Sequence, residues 1–123
     1  MSTHTCDALV VCCIDFRFQK FIQKWLSTHM KKKTYDLVGF AGSTKSLPTI
    51  MKQVKISKSL HHITQVVLIH HEECGAYGAE STPKRHAEDL NKAKKRVLRL
   101  YPDLQVDLYY LHLDGEFERV STS

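Results

Sequence analysis

Short runs of apolar, β-branched residues alternate along this chain with longer segments in which apolar residues recur every three or four positions. Runs of the first kind predict strands that are buried on both faces, and segments of the second kind predict amphipathic helices. The expected strands are 8–13, 35–40, 64–70 and 105–113, and the expected helices are 18–30, 47–60 and 83–101. Alternation of strands and helices is typical of an α/β domain with a mainly parallel sheet.

Residues with strong positional preferences mark the ends of these elements. Pro48 falls in the first turn of the second helix, where a missing N–H group costs nothing. Thr82 and Pro83 are suited to cap and begin the third helix, and Pro102 stops it. Asp114 and the glycine after it predict a turn, and the residues that follow could add a short edge strand.

The length and composition favour one soluble domain. A chain of 123 residues is too short for two independent cores, so we expect a single domain over 1–123. Its 42% hydrophobic and 25% charged residues are ordinary for a globular protein. No apolar run approaches the ~20 residues of a membrane span. The polar segment 1–7 lacks the apolar region of a signal peptide, which predicts a cytoplasmic location.

Positive charge is concentrated in two places. The formal net charge is +5, with the excess in 31–33 and in 84–99. A basic segment can bind nucleic acid or anionic ligands, but a solvated helix face is the more common use of such a pattern. No RNA-binding signature or zinc-finger spacing accompanies the charge. We therefore expect neither a membrane nor a nucleic acid as a partner.

The chain has four cysteines, Cys6, Cys12, Cys13 and Cys74. In a reducing compartment a disulfide framework is not expected, and metal binding or catalysis is the better use of paired cysteines. Neighbouring residues on a strand point to opposite faces, so at most one of Cys12 and Cys13 faces a given site. Cys6 and Cys12 are expected to be inert.

Two segments rich in reactive side chains follow predicted strands, 13–17 (CIDFR) and 70–75 (HHEECG). Ligands of parallel sheets bind beyond the carboxyl ends of the strands, so the two segments meet if strands one and three are adjacent. Cys13, His71 and Cys74 would then form a Cys₂His zinc site with an open fourth position. Zn²⁺ is therefore the expected cofactor.

Asp15 and Arg17 lie beside the first of these ligands. Asp15 can accept a hydrogen bond from a metal-bound water, and Arg17 can pair with Asp15 and hold it ionised. The alternative is a purely structural ion pair. Two thiolates leave Zn²⁺ near neutral, so the site should acidify bound water less than a three-histidine site does. Gly75 is expected to provide the freedom for the turn after His71.

Together, these motifs resemble the two signatures of the β-class carbonic anhydrases: Cys13-x-Asp15-x-Arg17, then His71-x-x-Cys74-Gly75. The resemblance runs from about Leu9 to Glu118. It implies that Cys13, His71 and Cys74 bind zinc and that Asp15 and Arg17 are the catalytic pair. It also implies a four-stranded parallel core in the order 2-1-3-4, a homodimer with active sites near the interface, and reversible hydration of CO₂ to bicarbonate by zinc-bound hydroxide.

The sequence departs from the family pattern around the expected pocket. Phe16 replaces the usual serine, His70 replaces the usual glycine, and Gly39-Phe40-Ala41-Gly42 replaces Arg-Asn-Ala-Gly. We also expect no counterpart of the helical extension that packs on a partner subunit in typical members. These changes make the pocket more apolar and leave the expected zinc ligands intact.

Two alternative functions remain open from the sequence. The β-class scaffold is also associated with hydrolysis of carbonyl sulfide or carbon disulfide, which an apolar pocket would suit. A non-catalytic zinc-stabilised binding protein could use the basic segment 84–99 to meet an acidic partner. His70 is interpreted as a packed histidine and not as a proton shuttle, whereas Tyr77 and His112 could line the pocket.

Overall fold

The structure, a computed structural model, describes residues 3–123, and within them the chain forms five strands and three α-helices. In chain order they are β1 (Ala8–Cys12), α1 (Gln19–His29), β2 (Tyr35–Gly39), α2 (Leu47–His61), β3 (Gln65–His71), α3 (Pro83–Leu100), β4 (Gln105–Leu111) and β5 (Phe117–Arg119). Short 3₁₀ turns at Phe16–Phe18, Ser43–Lys45 and Gly78–Glu80 connect strands to the helices that follow them.

The five strands form one sheet in the order β2-β1-β3-β4-β5. The first four are parallel, and β5 pairs antiparallel with β4. The predicted α/β class and the order 2-1-3-4 are therefore confirmed, and the short edge strand is present. β1 ends one residue before its expected end and β4 ends two residues before, because the chain leaves the sheet at Cys13 and at His112 to form connections.

Helices cover both faces of the sheet, which explains why the strands are continuously apolar. On one face, α2 and α3 bury side chains such as Ile50, Val54 and Leu90 against alternate strand residues. On the other face, α1 buries Ile22 and Leu26 against the intervening strand residues. Cys12 belongs to the α1 side, as the alternation of strand side chains predicts.

Local signals in the sequence fix the helix ends. The Thr82 side chain accepts a hydrogen bond from the Arg85 backbone N–H at 3.1 Å, so it caps α3 as predicted. α3 ends at Leu100, two residues before Pro102. α2 ends where His62 adopts a left-handed conformation at φ 55°. None of the helices within 3–123 has both the length and the apolar character needed to cross a membrane.

Candidate metal centre

The carboxyl ends of β1 and β3 lie side by side, and they bring together the two segments that carry the chemistry. Cys13 directly follows β1, and His71 is the last residue of β3. Cys74 lies in the turn that follows His71. The ligand atoms of these three residues all lie within 4.8 Å of one another, and the residues are only 7%, 3% and 2% exposed. The three residues proposed as ligands from the sequence therefore form one buried group.

The His71 ring is oriented with one nitrogen facing this group. Its Nδ1 lies 2.7 Å from the Glu72 carbonyl oxygen, which can only accept, so Nδ1 carries the proton. The ring also packs on Phe18, with 4.2 Å between the ring centroids. Nε2 is therefore a lone-pair acceptor, and it is buried without a hydrogen-bond partner in the part of the chain that the structure describes. A buried, unpartnered imidazole nitrogen beside two sulfur atoms fits a metal ligand.

The two sulfur atoms differ in their environments. Cys13 Sγ accepts a hydrogen bond from the Gly42 backbone N–H at 3.4 Å. The Cys74 thiol beside it, and then the His71 ring and this N–H, hold the pKa of Cys13 below its ordinary value. The Cys13 sulfur in turn raises the pKa of Cys74. Thiolate and imidazole donors are those that zinc prefers.

The turn that carries Cys74 is built differently from the sequence prediction. Gly75 has no left-handed φ, and a Cβ atom added there would meet nothing within 4 Å. Glu73 adopts the left-handed conformation instead, at φ 54°. The Cys74 backbone N–H donates to Ser81 Oγ at 2.9 Å, which anchors the turn to the chain before α3. The expectation that Gly75 permits the turn was wrong, because Glu73 makes the reversal.

Asp15 and Arg17 form a fork-shaped ion pair at the rim of the group. Arg17 donates from Nη2 to Asp15 Oδ2 at 2.8 Å, from Nε to both oxygens, and from its backbone N–H to Oδ1. These bonds hold the pKa of Asp15 below its ordinary value. Asp15 Oδ2 lies 3.9 Å from His71 Nε2. The carboxylate therefore stays ionised close to the buried imidazole.

Arg17 has a second partner that the sequence analysis did not identify. Its Nη2 donates to the Glu73 carbonyl oxygen at 2.9 Å, and its Nη1 donates to Glu73 Oε1 at 3.2 Å. The left-handed turn at Glu73 points this carbonyl toward the arginine. No sequence signal separates Glu73 from Glu72 beside it, since only the backbone conformation decides which of them faces Arg17.

A pocket of about 390 Å³ opens beside the group. Apart from Cys13 and Asp15, it is lined by apolar residues and a glycine: Ile14, Phe16, Ala41, Gly75 and Ala76. Phe16 and Ile14 are 85% and 61% exposed. The pocket is therefore apolar, as the departures from the family pattern predict.

The two further residues considered for the pocket lie elsewhere. Tyr77 is buried beneath the two cysteines, and its hydroxyl donates to Asp89 at 2.5 Å. His112 directly follows β4, and its Nε2 is 2.8 Å from Glu118. Neither residue lines the pocket of Cys13 and Asp15.

Behind the group lies a buried chain of polar side chains. His70 Nδ1 is 2.8 Å from His86 Nδ1, His86 Nε2 is 2.9 Å from Ser81 Oγ, and His70 Nε2 is 2.7 Å from Thr44 Oγ1. Burial lowers the pKa of His70 to about 3 and that of His86 to about 4, so both rings are neutral. His70 is packed, in agreement with its interpretation from the sequence, and the chain supports Cys74 through Ser81. His86 was missed, because a single histidine on a helix gives no signal of its own.

Gly42→Ala is expected to destabilise the protein by about 1–2 kcal/mol, because Gly42 has φ +81°. An added Cβ would also lie 3.2 Å from the Ala76 Cβ and disturb the N–H that contacts Cys13. Urea unfolding measures the change. Gly75→Ala is the matched control, because an added Cβ meets nothing within 4 Å there and Gly75 has no left-handed φ. This variant should change the free energy of unfolding by less than about 0.5 kcal/mol. Equal stability of the two variants would contradict this account.

A mainly parallel sheet that presents Cys, His and Cys at the ends of two adjacent strands, with an Asp–Arg pair beside them, has the architecture of the β-carbonic anhydrases. The chain belongs to the family described as "Putative carbonic anhydrase", whose family model matches residues 3–121.

Two curated relatives, both uncharacterized proteins, come from Rickettsia bellii and Rickettsia conorii. Each is 29% identical over 133 aligned positions that cover 93% of this chain. The alignment covers 81% of the first relative and 72% of the second.

Solved structures of carbonic anhydrases share the fold. The enzyme from Streptococcus mutans superposes with a TM-score of 0.72 at 14% identity, covering 98% of this chain and 86% of its own. The enzyme from Glaciozyma antarctica gives a TM-score of 0.60 at 15% identity over 93% of this chain and 81% of its own. One of the tetrameric β-carbonic anhydrases from Sordaria macrospora gives 0.59 at 14% identity over 96% and 82%.

Proposed function

We propose that this protein is a zinc-dependent carbonic anhydrase, a lyase that interconverts CO₂ and bicarbonate. The observation that carries the proposal is the buried, unpartnered Nε2 of His71, which faces the sulfur atoms of Cys13 and Cys74. A histidine nitrogen whose lone pair is buried costs free energy unless a metal ion or a hydrogen-bond donor interacts with it. The family match supports the same reaction.

In this proposal Cys13, His71 and Cys74 hold the zinc ion. When bound, zinc supplies Lewis-acid activation of water, which makes water a nucleophile near neutral pH. The protein fixes the three donors in advance. The Glu72 carbonyl sets the His71 tautomer, and the Gly42 N–H steadies Cys13. Such support orients ligands and tunes the metal they hold.

Asp15 orients the attacking water by accepting its hydrogen bond. The carboxylate is 16% exposed and lies within 3.9 Å of His71 Nε2, so it reaches the space in front of the three donors. Arg17 occupies both carboxylate oxygens and is itself anchored on Glu73. Arg17 and Glu73 therefore hold Asp15 ionised and in one orientation. A group that positions a nucleophile needs such a fixed orientation.

The pocket supplies an apolar surface for a small, uncharged substrate. Ile14, Phe16, Ala41 and Ala76 line it, and CO₂ needs no charged partner to enter it. The same apolar lining favours a second candidate function, hydrolysis of carbonyl sulfide or carbon disulfide. Turnover of CO₂ and carbonyl sulfide, measured on one preparation, separates the two functions, because the preferred substrate has the higher kcat/KM.

The test of the main proposal is stopped-flow CO₂ hydration by reduced, zinc-loaded protein at mildly alkaline pH. We expect a rate well above that of the buffer. A rate equal to the buffer, with zinc retained at Cys13, would reject the carbonic anhydrase proposal. It would favour a zinc-stabilised binding protein that uses the basic outer face of α3, and in that case partner binding would weaken steeply with salt.

We also propose that the protein is a homodimer, with CO₂ and bicarbonate as its small-molecule partners. Phe16 and Ile14 are exposed at the mouth of the pocket, and a second copy of the chain would cover them. Light scattering coupled to size exclusion should give twice the 14.2 kDa mass of one chain. A mass of one chain would contradict the proposal. A reducing cytoplasm is the proposed location, since Cys13 and Cys74 form no disulfide and must stay reduced to bind zinc.

A further inference from the structure

A second group of metal-ligating side chains lies at the opposite end of the sheet from the first. Cys6 precedes β1, Asp36 is the second residue of β2, and His61 is the last residue of α2. One ligand atom from each of the three lies within 4.8 Å of the other two. The three residues are separated in sequence, and only the parallel pairing of β1 with β2 and the return of α2 bring them together.

The backbone holds this group in place. The Cys6 N–H donates to the His61 carbonyl oxygen at 3.0 Å. Asp36 pairs in register with Leu9 on β1, so its side chain is fixed relative to the residues just before that strand. The left-handed turn at His62 ends α2 directly after His61. The ligand positions are therefore set by strand pairing and a helix cap, and not by flexible loops alone.

We infer that Cys6, Asp36 and His61 form a second zinc site, independent of the proposed catalytic site. A thiolate, a carboxylate and an imidazole are three of the donors that zinc accepts in proteins. The two negative charges of Cys6 and Asp36 balance the charge of Zn²⁺. The ring of His4 lies 4.8 Å from the ring of His61.

The existing hydrogen bonds show how the ion would be accommodated. His61 Nδ1 lies 2.7 Å from Asp36 Oδ2. An ion bound to both atoms would take the place of this hydrogen bond, and the single proton of the neutral imidazole would then sit on Nε2. The Cys6 thiol would lose its proton to solvent on binding. Ser57 Oγ donates to Asp36 Oδ2 at 2.7 Å, the kind of outer contact that orients a ligating carboxylate.

Access and burial also fit a metal site. The side chains of His61 and Asp36 are 25% and 32% exposed, so the group is partly shielded but not sealed. A cavity of about 230 Å³ between β2 and α2 is lined by Asp36, Ser57 and His61, which gives an ion an entry path. The Cys6 thiol donates to the Ala8 carbonyl oxygen at 3.6 Å, and metal binding would break this hydrogen bond. The alternative is that the three side chains only hydrogen-bond to one another, to Ser57 and to Ala8.

The experiment is equilibrium dialysis of the whole protein against zinc under reducing conditions, with metal content measured by mass spectrometry. Wild type is expected to retain two equivalents per chain, and Cys6→Ala and His61→Gln are expected to retain one. Cys12→Ala and His62→Asn are matched controls, because each replaces a neighbouring residue of the same type outside the group, and both should retain two equivalents.

A second readout isolates the new site from the proposed catalytic one. Cys13→Ala, loaded with Co²⁺, should show a thiolate-to-cobalt charge-transfer band from a single sulfur, and Cys6→Ala in that background should abolish it. Wild type that retains one equivalent, with Cys6→Ala unchanged, would overturn the inference and leave a hydrogen-bonded cluster. The inference would also be overturned if both Cys6→Ala and His61→Gln still retained two equivalents of zinc, because the second ion would then be bound elsewhere. Neither result changes the expectation for CO₂ hydration, which the stopped-flow assay measures separately.

Discussion

Cys13→Ala is expected to remove one equivalent of zinc and to reduce CO₂ hydration to the rate of the buffer. Cys13 supplies one of three donors in a site that is almost fully buried, and the remaining Cys74 and His71 cannot hold the ion alone against competition from solvent. Without this ion, the pocket beside Asp15 loses the Lewis acid that makes water a nucleophile near neutral pH. Zinc content and stopped-flow hydration are measured on the same preparation.

Cys12→Ala is the control for this variant. Cys12 is 2% exposed and adjacent in sequence, but its side chain packs on the α1 side of the sheet. Burial raises the pKa of Cys12 to about 11, so it is a neutral thiol under assay conditions. This variant should keep its zinc and its rate. Full zinc content in Cys13→Ala would reject Cys13 as a ligand, and loss of zinc in both variants would point to a folding defect.

Asp15→Asn is expected to keep its zinc and to lose about 10²- to 10⁴-fold in kcat, the range for removing a group that takes part in proton transfer. The amide keeps the size of the side chain, but it loses the charge that pairs with Arg17. It also presents an N–H₂ group where the carboxylate accepts a hydrogen bond. Because the arginine fork fixes Asp15, the loss should appear in kcat, while zinc content stays unchanged.

Asp103→Asn gives a matched control for the loss of a paired carboxylate. Asp103 forms an ion pair with Lys58 at 2.8 Å, but it is 66% exposed and lies far from the pocket. Its replacement should leave the hydration rate unchanged. An Asp15→Asn enzyme as fast as wild type would remove Asp15 from the mechanism, and the ion pair with Arg17 would then have a structural role only.

The sheet could be predicted from the sequence because its strands are continuously apolar and its helices are amphipathic. The apolar runs 64–70 and 105–113 suit strands that are buried on both faces, which leaves few other assignments for them. Right-handed connections between parallel strands then restrict the order of the strands in the sheet. Thr82 and Pro102 gave the limits of α3 for reasons that are local to the chain. The ends of β1 and β4 were placed one and two residues too late, because apolar character continues past the point where strand pairing stops.

The site was predictable only in part. Cys13, His71 and Cys74 could be chosen because both segments follow strands and the residue types suit zinc. The roles of Gly75 and Glu73 could not, since glycine is the usual residue at a left-handed position and here a glutamate adopts it. His86 was also invisible, because its partner His70 lies on another element, 16 positions earlier in the chain.

The sequence by itself determined the class of fold, the helix caps and the set of residues able to bind metal, because each depends on periodicity or on the chemistry of single side chains. Only the tertiary structure decided which of these residues meet. Strand pairing places Cys13 beside His71 and leaves Cys12 on the other face. The same pairing brings Cys6, which the sequence predicted to be inert, to Asp36 and His61. Proximity between distant residues is a property of packing, and no local pattern contains it.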